Sequence, residues 1–168
     1  MSRTIPLTKG YVTVVDDEDY ERLSEQSWWA LVAPNDRVYA VRSASRVERM
    51  VGLPRNVYMH REILGVVMNS SQDVDHHNHD GLDNQRANLR LCSRSNNHAN
   101  RRKIRGVSRY KGVQWDKSRG QWLAKIKVNR RHQNLGRFSN EADAARAYDR
   151  AASEQWGEFA CLNFPRGT

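Results

Sequence analysis

The chain has 168 residues, with 28 Lys and Arg against 19 Asp and Glu, for a formal net charge of +9. That length holds one ordinary domain or two small ones and excludes a large multidomain enzyme. With 38% hydrophobic residues and a mean hydropathy of −0.86 the chain is polar, yet five Trp and six Tyr remain to build cores. No apolar run approaches the ~18 residues of a membrane span, and the opening MSRTIPLTKG has no apolar leader stretch. Cys92 and Cys161 are too few for a disulfide framework or a Cys-rich zinc site, so no zinc is expected. A soluble, cytoplasmic protein with no membrane association is the expectation.

Residues 5–15 (IPLTKGYVTVV) read as a strand or hairpin interrupted at Gly10. Asp16–Ser27 opens with acids suited to a helix N-terminus and sets Tyr20 and Leu23 on one side. Trp28–Ala33 and Val38–Arg42 look like a strand pair around Pro34-Asn35-Asp36, and Val57–Leu64 like a strand entering a short helix. These short mixed elements predict an α+β module.

Val74–Asn100 (VDHHNHDGLDNQRANLRLCSRSNNHAN) is dense in groups that bind metals or move protons. Asp80-Gly81 suits a tight turn between arms at Val74–His77 and near Leu89–Leu91. Ser93 is a plausible N-cap for a polar helix carrying Asn96, Asn97 and Asn100. The predicted unit is ββα, with Asp75 and His76 on one strand and Asn97 returning from the helix.

The basic linker 101–108 follows, with Arg101, Arg102, Lys103 and Arg105 placed to meet phosphates. Beyond it, Lys111–Asp116, Gln121–Val128 and His132–Phe138 read as three strands. In Gln121–Val128, Trp122, Ala124, Ile126 and Val128 alternate with Leu123, Lys125 and Lys127. Ser139 or Asn140 caps a helix to about Trp156, whose Ala144, Ala145, Tyr148, Ala151 and Ala152 form an apolar stripe for the sheet. A three-stranded antiparallel sheet on one helix is predicted, its Lys-bearing face left open.

The charge is polarised. Between Arg86 and Arg137 stand 16 Lys and Arg and one acid, Asp116, whereas the rest of the chain has 12 basic and 18 acidic residues. A short basic run is usually a solvated face; one this long, with aromatics among the Arg and Lys, fits neutralisation by a polyanion. Charge favours nucleic acid without separating DNA from RNA.

Two family resemblances stand on these motifs. VYMHREIL with VDHHNHDGLDNQRANLRLCSRSNN resembles the HNH homing endonucleases of phage and bacterial mobile elements, and GYVTVVDDEDYERL, the Trp pair and VYAVR extend it upstream. RYKGVQWD, GQWLAKIKV, LGRFSNEADAARAYDRAA and LNFP, within 109–164, resemble the plant APETALA/ethylene-response-factor DNA-binding domain. The first resemblance implies a nuclease module over 1–100 with a ββα-metal core at about 73–100; the second implies a DNA-binding domain over 109–166.

By the first resemblance, Asp75 and Asn97 would hold Mg²⁺, with Mn²⁺ able to substitute. His76 would be the general base, Asn88 would hold the hairpin, and His60 lies in the family's MHR segment. His76 as ligand with His77 as base stays open. A neutral imidazole activating water and a hard cation relieving phosphate charge together suit phosphodiester hydrolysis, leaving 5′-phosphate and 3′-hydroxyl ends. By the second resemblance, Lys111, Gln114, Arg119, Lys125, Lys127, His132 and Asn134 would meet the major groove.

The combined expectation is a site-specific, metal-dependent endonuclease acting as a monomer on double-stranded DNA. It would need no obligate protein partner and would work in a bacterial host cytoplasm if phage-encoded. Two alternatives stay open, a catalytically inactive DNA-binding regulator and a nuclease or binder of structured RNA.

Overall fold

The computed structural model describes residues 1–34, 36–66, 72–101 and 106–165. It forms two compact units, Met1–Arg94 and Ser95–Thr168. Arg102, Lys103 and Arg105 of the expected linker, and Asn35 of the expected turn, lie outside the described residues.

In the first unit, β1 (Ser2–Pro6) and β2 (Val12–Asp16) form an antiparallel hairpin that the β-branched pattern and Gly10 foreshadow. Helix α1 (Asp17–Ser24) follows, its first turn carrying Asp17, Glu18 and Asp19 where the helix dipole favours negative charge. Strands β3 (Trp29–Val32), β4 (Val38–Ser43) and β5 (Asn56–Tyr58) make an antiparallel sheet in the order β3-β4-β5. Helix α2 (Arg46–Met50) sits between β4 and β5, and α3 (Met59–Ile63) follows β5. A second hairpin pairs β6 (Gln72–His76) with β7 (Leu89–Ser93).

Ile5, Val15, Leu23, Trp28, Ala40, Met59, Ile63, Val74 and Leu89 converge in one apolar core drawn from nearly every element of this unit. The Trp28 indole donates to the Leu23 carbonyl at 2.8 Å, so its single polar atom is satisfied inside that core.

The turn expected at Asp80-Gly81 is something else. Residues 77–88 form a long connection in which Leu82 and Asn84 flank Val14 of β2: Val14 N–H donates to the Leu82 carbonyl at 2.9 Å, and Asn84 N–H to the Val14 carbonyl at 2.8 Å. Gly81 is needed for closeness. A Cβ there would lie 2.3 Å from the Val38 carbonyl oxygen and 2.7 Å from the Tyr39 ring.

Helix α4 (Arg94–Ala99) begins directly after Ser93 and leads into the second unit. There β8 (Val113–Asp116), β9 (Gln121–Val128) and β10 (Arg131–Phe138) pair antiparallel in the order β10-β9-β8. Helix α5 (Glu141–Trp156) packs on one face of that sheet through buried Ala144, Ala145, Ala147, Tyr148 and Ala152. Asn140 is its cap, accepting from Ala142 N–H at 2.7 Å. A bulge between Asn134 and Gly136 turns Leu135 to the core. Gly112 has φ +74, and a Cβ there would fall 1.9 Å from the Tyr148 ring, so strand β8 approaches α5 only because no side chain intervenes. The sheet-on-helix expectation is met. Among the described residues, no helix is long and apolar enough to cross a membrane.

Candidate nucleic-acid interface

Strand alternation and register assemble the outer face of the C-terminal sheet. The inner positions Val113, Trp122, Ala124, Ile126 and Phe138 belong to the two apolar clusters against α5. One residue out of phase, Gln114 and Arg137 stand in register with Leu123, Asn134 with Lys125, and His132 with Lys127. Lys127, His132, Asn134 and Gln114 are exposed and Lys125 is half-buried. Arg119 is exposed in the β8–β9 turn, its N–H donating to the Asp116 carbonyl at 3.2 Å. Amide, imidazole and ammonium groups are thereby gathered on one face of the sheet.

One expected member of this face sits elsewhere, and one unexpected residue joins it. Lys111 is drawn inward: its Nζ donates to the Ala99 carbonyl, and its N–H donates to Asn163 Oδ1 at 2.6 Å. Arg137, passed over in the sequence, stands on the face itself, its Nε donating to Asp116 Oδ2 at 3.0 Å. No local sequence signal marks it, because the bulge between Asn134 and Gly136 is what brings Arg137 onto the face of His132 and Asn134. Hydrogen bonds from Ser118 and Arg137 hold the Asp116 carboxyl at about 2, below the usual carboxylate range.

A polar lock closes the unit behind that face. Asp149 Oδ1 accepts from Asn163 N–H at 2.8 Å and from Asn163 Nδ2 at 2.9 Å, and its Oδ2 accepts from Phe164 N–H at 2.9 Å. Asn163 Nδ2 also donates to the Lys111 carbonyl at 3.1 Å. The closing LNFP segment is thus tied both to α5 and to the approach to β8.

In the histidine-rich stretch of the first unit Asp75 and His76 are turned inward, whereas His77, Asn78 and Asp80 are exposed. Asp75 is 6% exposed and its Oδ2 accepts from Arg90 Nε at 3.0 Å and Arg90 Nη2 at 2.8 Å. His76 is 6% exposed, with Nε2 3.2 Å from Asn84 Oδ1. Asn84 Nδ2 donates to Thr13 Oγ1 at 2.7 Å, and Thr13 Oγ1 donates to the Leu82 carbonyl at 2.7 Å. This chain of donors makes Nε2 the protonated nitrogen of a neutral His76. Burial holds the His76 imidazole below its ordinary range, against the opposing hydrogen bond to Asn84 and the charge of Asp75.

His60 is likewise buried, edge-on to His76 at 4.8 Å between ring centroids. Burial, then the neighbouring His76, keeps its pKa well below the ordinary value. Asn88 braces the connection, accepting from Asn78 N–H at 3.0 Å and donating to the Asp83 carbonyl at 2.8 Å. His77 is exposed, its N–H donating to the Asn88 carbonyl at 2.9 Å. Asn97 is half-buried on α4, in the second unit, whereas Asp75 is in the first.

For Mg²⁺, the donor set is a poor fit. The Asp75 carboxylate is already claimed by a guanidinium, and among the described residues no group of three or more His, Cys, Asp and Glu is placed to hold a metal ion.

Arg86 and Arg90, at the start of the basic stretch, are also consumed internally. Arg86 Nε lies 2.7 Å from Asp19 Oδ2, and Arg90 holds Asp75. The positive charge left to meet a partner is therefore weighted toward the second unit.

Residues 108–158 match the family described as the AP2 domain. Among curated proteins, the chain is 44% identical over 69 residues to dehydration-responsive element-binding protein 2E of Arabidopsis thaliana, covering 35% of this chain and 28% of that one. It is 40% identical over 62 residues to ethylene-responsive transcription factor WRI1 of Arabidopsis thaliana, covering 36% and 14%. It is 44% identical over 62 residues to APETALA2-like protein 2 of Oryza sativa subsp. indica, covering 37% and 13%. The chain thus spans between about an eighth and just over a quarter of the length of these relatives.

These matches overturn the expectation of a metal-dependent phosphodiester hydrolase from a phage or mobile element. They are to a transcription-factor domain, and the inward-facing, hydrogen-bonded Asp75 and His76 offer neither a ready metal ligand nor a solvent-accessible base. Over residues 108–158 the C-terminal part of the chain is similar to the AP2 domain.

Proposed function

We propose that this chain is a non-enzymatic, sequence-specific DNA-binding protein that regulates transcription, with the outer face of β8-β9-β10 lying in the major groove. The observation that carries this reading is the single face shared by Gln114, Lys125, Lys127, His132, Asn134 and Arg137, opposite the Ala-lined face against α5. A twisted three-stranded sheet has the width and curvature to enter a major groove. Lys125, Lys127 and Arg119 supply charge that positions the sheet on phosphates. Gln114 and Asn134 have the amide geometry that pairs with adenine edges. Arg137, held by Asp116, is a fixed guanidinium suited to a guanine.

The likeness to a dehydration-responsive element-binding protein and to ethylene-responsive transcription factors supports duplex DNA over RNA. In this reading Asp75, His76, Asn84 and Asn88 build the interior of the first unit, and the chemistry of the whole is recognition. The test is selection of bound duplexes from a randomised pool by the intact chain, followed by titration of the recovered site. A shared motif, with affinity falling linearly in log salt and lost on Lys125→Gln with Lys127→Gln, is the expected result. Equal retention of random duplexes would overturn sequence-specific recognition.

A further inference from the structure

The connection from β4 to β5 is an excursion closed at its base. Ser43 pairs with Asn56 across the two strands, and Ala44 N–H donates to the Arg55 carbonyl at 2.8 Å. At its tip α2 is held firmly: Ser45 accepts from Glu48 N–H at 3.2 Å while the Glu48 carboxylate accepts from Ser45 N–H at 2.7 Å, a complete capping box. Glu48 also receives Arg42 at 2.6 Å, so the only acid of the excursion points back into the unit.

What remains outward is unusual. Val47, Met50 and Val51 are 71%, 78% and 74% exposed, a spacing of three and four that sets them side by side. Arg46, Arg49 and Arg55 are exposed beside them, with no ion pair to any carboxylate among the described residues. At about 100° per residue, Arg49, Arg46, Met50, Val47 and Val51 fill one continuous arc of roughly 200°, and Glu48 takes the opposite side. The result is a rigid convex ridge of apolar tips edged by guanidinium groups.

We propose that this ridge is a second DNA contact, with Met50 pressed against a base step in the minor groove and Arg46 and Arg49 on the flanking phosphates. The proposal rests on the DNA-binding reading of the AP2 domain. Three unpaired guanidiniums select a polyanion, and three exposed aliphatic side chains need an apolar surface within it; the base-pair edges and stack of a duplex offer both. The ridge has no amide or hydroxyl with which to read the major groove. A helix of five residues, about 7.5 Å long, presents one or two side chains rather than a reading face. Apolar wedges flanked by Arg belong to proteins that kink DNA from the minor groove.

The experiment uses the intact chain and the duplex it selects from a randomised 40-base-pair pool, end-labelled for energy transfer. Met50→Ser with Val51→Ser is expected to lower affinity about three- to tenfold and to abolish the bend of the wild-type complex. Arg46→Gln with Arg49→Gln is expected to reduce the log affinity against log salt slope by about 2. All these positions are solvent-exposed, and circular dichroism checks that both variants fold. If the wild type binds and both variants keep its bend, footprint and salt slope, the ridge inference falls while the AP2-domain reading stands. If the wild type binds no duplex, that reading falls and takes this one with it. If the variants instead change the mass seen by light scattering, the ridge is a self-association surface and the inference is overturned.

Discussion

Asp116 and Arg137 join the first strand of the C-terminal sheet to the third, with 3.0 Å between Oδ2 and Nε. Leu123, in register with Arg137 on the middle strand, is only 8% exposed although it lies on the outer face. The single acid of the stretch from Arg86 to Arg137 thus orients one of its many cations. Asp116→Asn should cost specificity while raising general attraction, because it frees Arg137 to several rotamers and removes a negative charge. We expect about a five- to tenfold loss on the selected site together with tighter binding to random duplex at low salt, measured by paired anisotropy titrations.

The same pair gives a pH expectation. A carboxyl whose folded-state value is depressed contributes stability above its unfolded value near 3.8, lost as pH falls through about 2. Site affinity should therefore not change between pH 8 and 4 through Asp116. Loss of affinity at pH 5 in a variant where His132 is replaced by Gln would contradict this assignment.

His60 and His76 set the opposite sign in the first unit. Both imidazoles are kept neutral by burial, so below the unfolded value near 6.5 the unfolded chain binds protons that the folded one refuses. Stability must fall as pH drops from 6.5, by at most about 1.4 kcal/mol per pH unit for each histidine. Urea melts at pH 7.5 and 5.5 measure it, and the pH slope should shrink in His60→Phe.

Breaking the buried ion pair of the first unit should be costly. Arg90→Met leaves the Asp75 carboxylate buried without its guanidinium, which costs about 3 kcal/mol or more. The drop should appear in the melting of the first unit, and Asp75→Asn added to Arg90→Met should recover part of it.

In the second unit, Asn163→Ala removes a side chain that joins Asp149 to Lys111, taking away its hydrogen bonds to both backbone groups of Lys111 and one of those to Asp149. A loss of about 1–3 kcal/mol is expected. Hydrogen exchange should then rise at Lys111 and Phe164 before it rises in β9.

Much of the second unit could be read from sequence because its signals are local. The alternation in β9 assigned both faces, and the spacing of Ala144, Ala145, Tyr148 and Ala152 identified the buried side of α5. Helix α2 went unread because an Arg-rich segment with exposed Val and Met has no amphipathic period directed at a core. Arg137 was hidden by the bulge at Asn134, which shifts the parity of every later residue in β10. The Asp149–Asn163 lock and the Gly81–Tyr39 approach depend on residues distant in sequence, which no local pattern records. The largest correction concerns Asp75 and His76. A run of Asp, His and Asn looks the same on paper whether it faces a substrate or an interior, and only the positions of Arg90, Asn84 and Thr13 tell the two apart.

The alanine face of α5 has a thermodynamic consequence for the second unit. Methyl groups let helix and sheet approach closely, but each removes little apolar area from water, so most of the desolvation in this unit falls to larger side chains such as Trp122, Ile126, Phe138 and Tyr148. The unit's population of folded molecules is sensitive to any ligand that recognises only the native state. A duplex at a hundred times its dissociation constant adds about 2.7 kcal/mol to that balance. The bound site then acts as part of the unit's own scaffold, and its melting temperature should rise with the logarithm of DNA concentration.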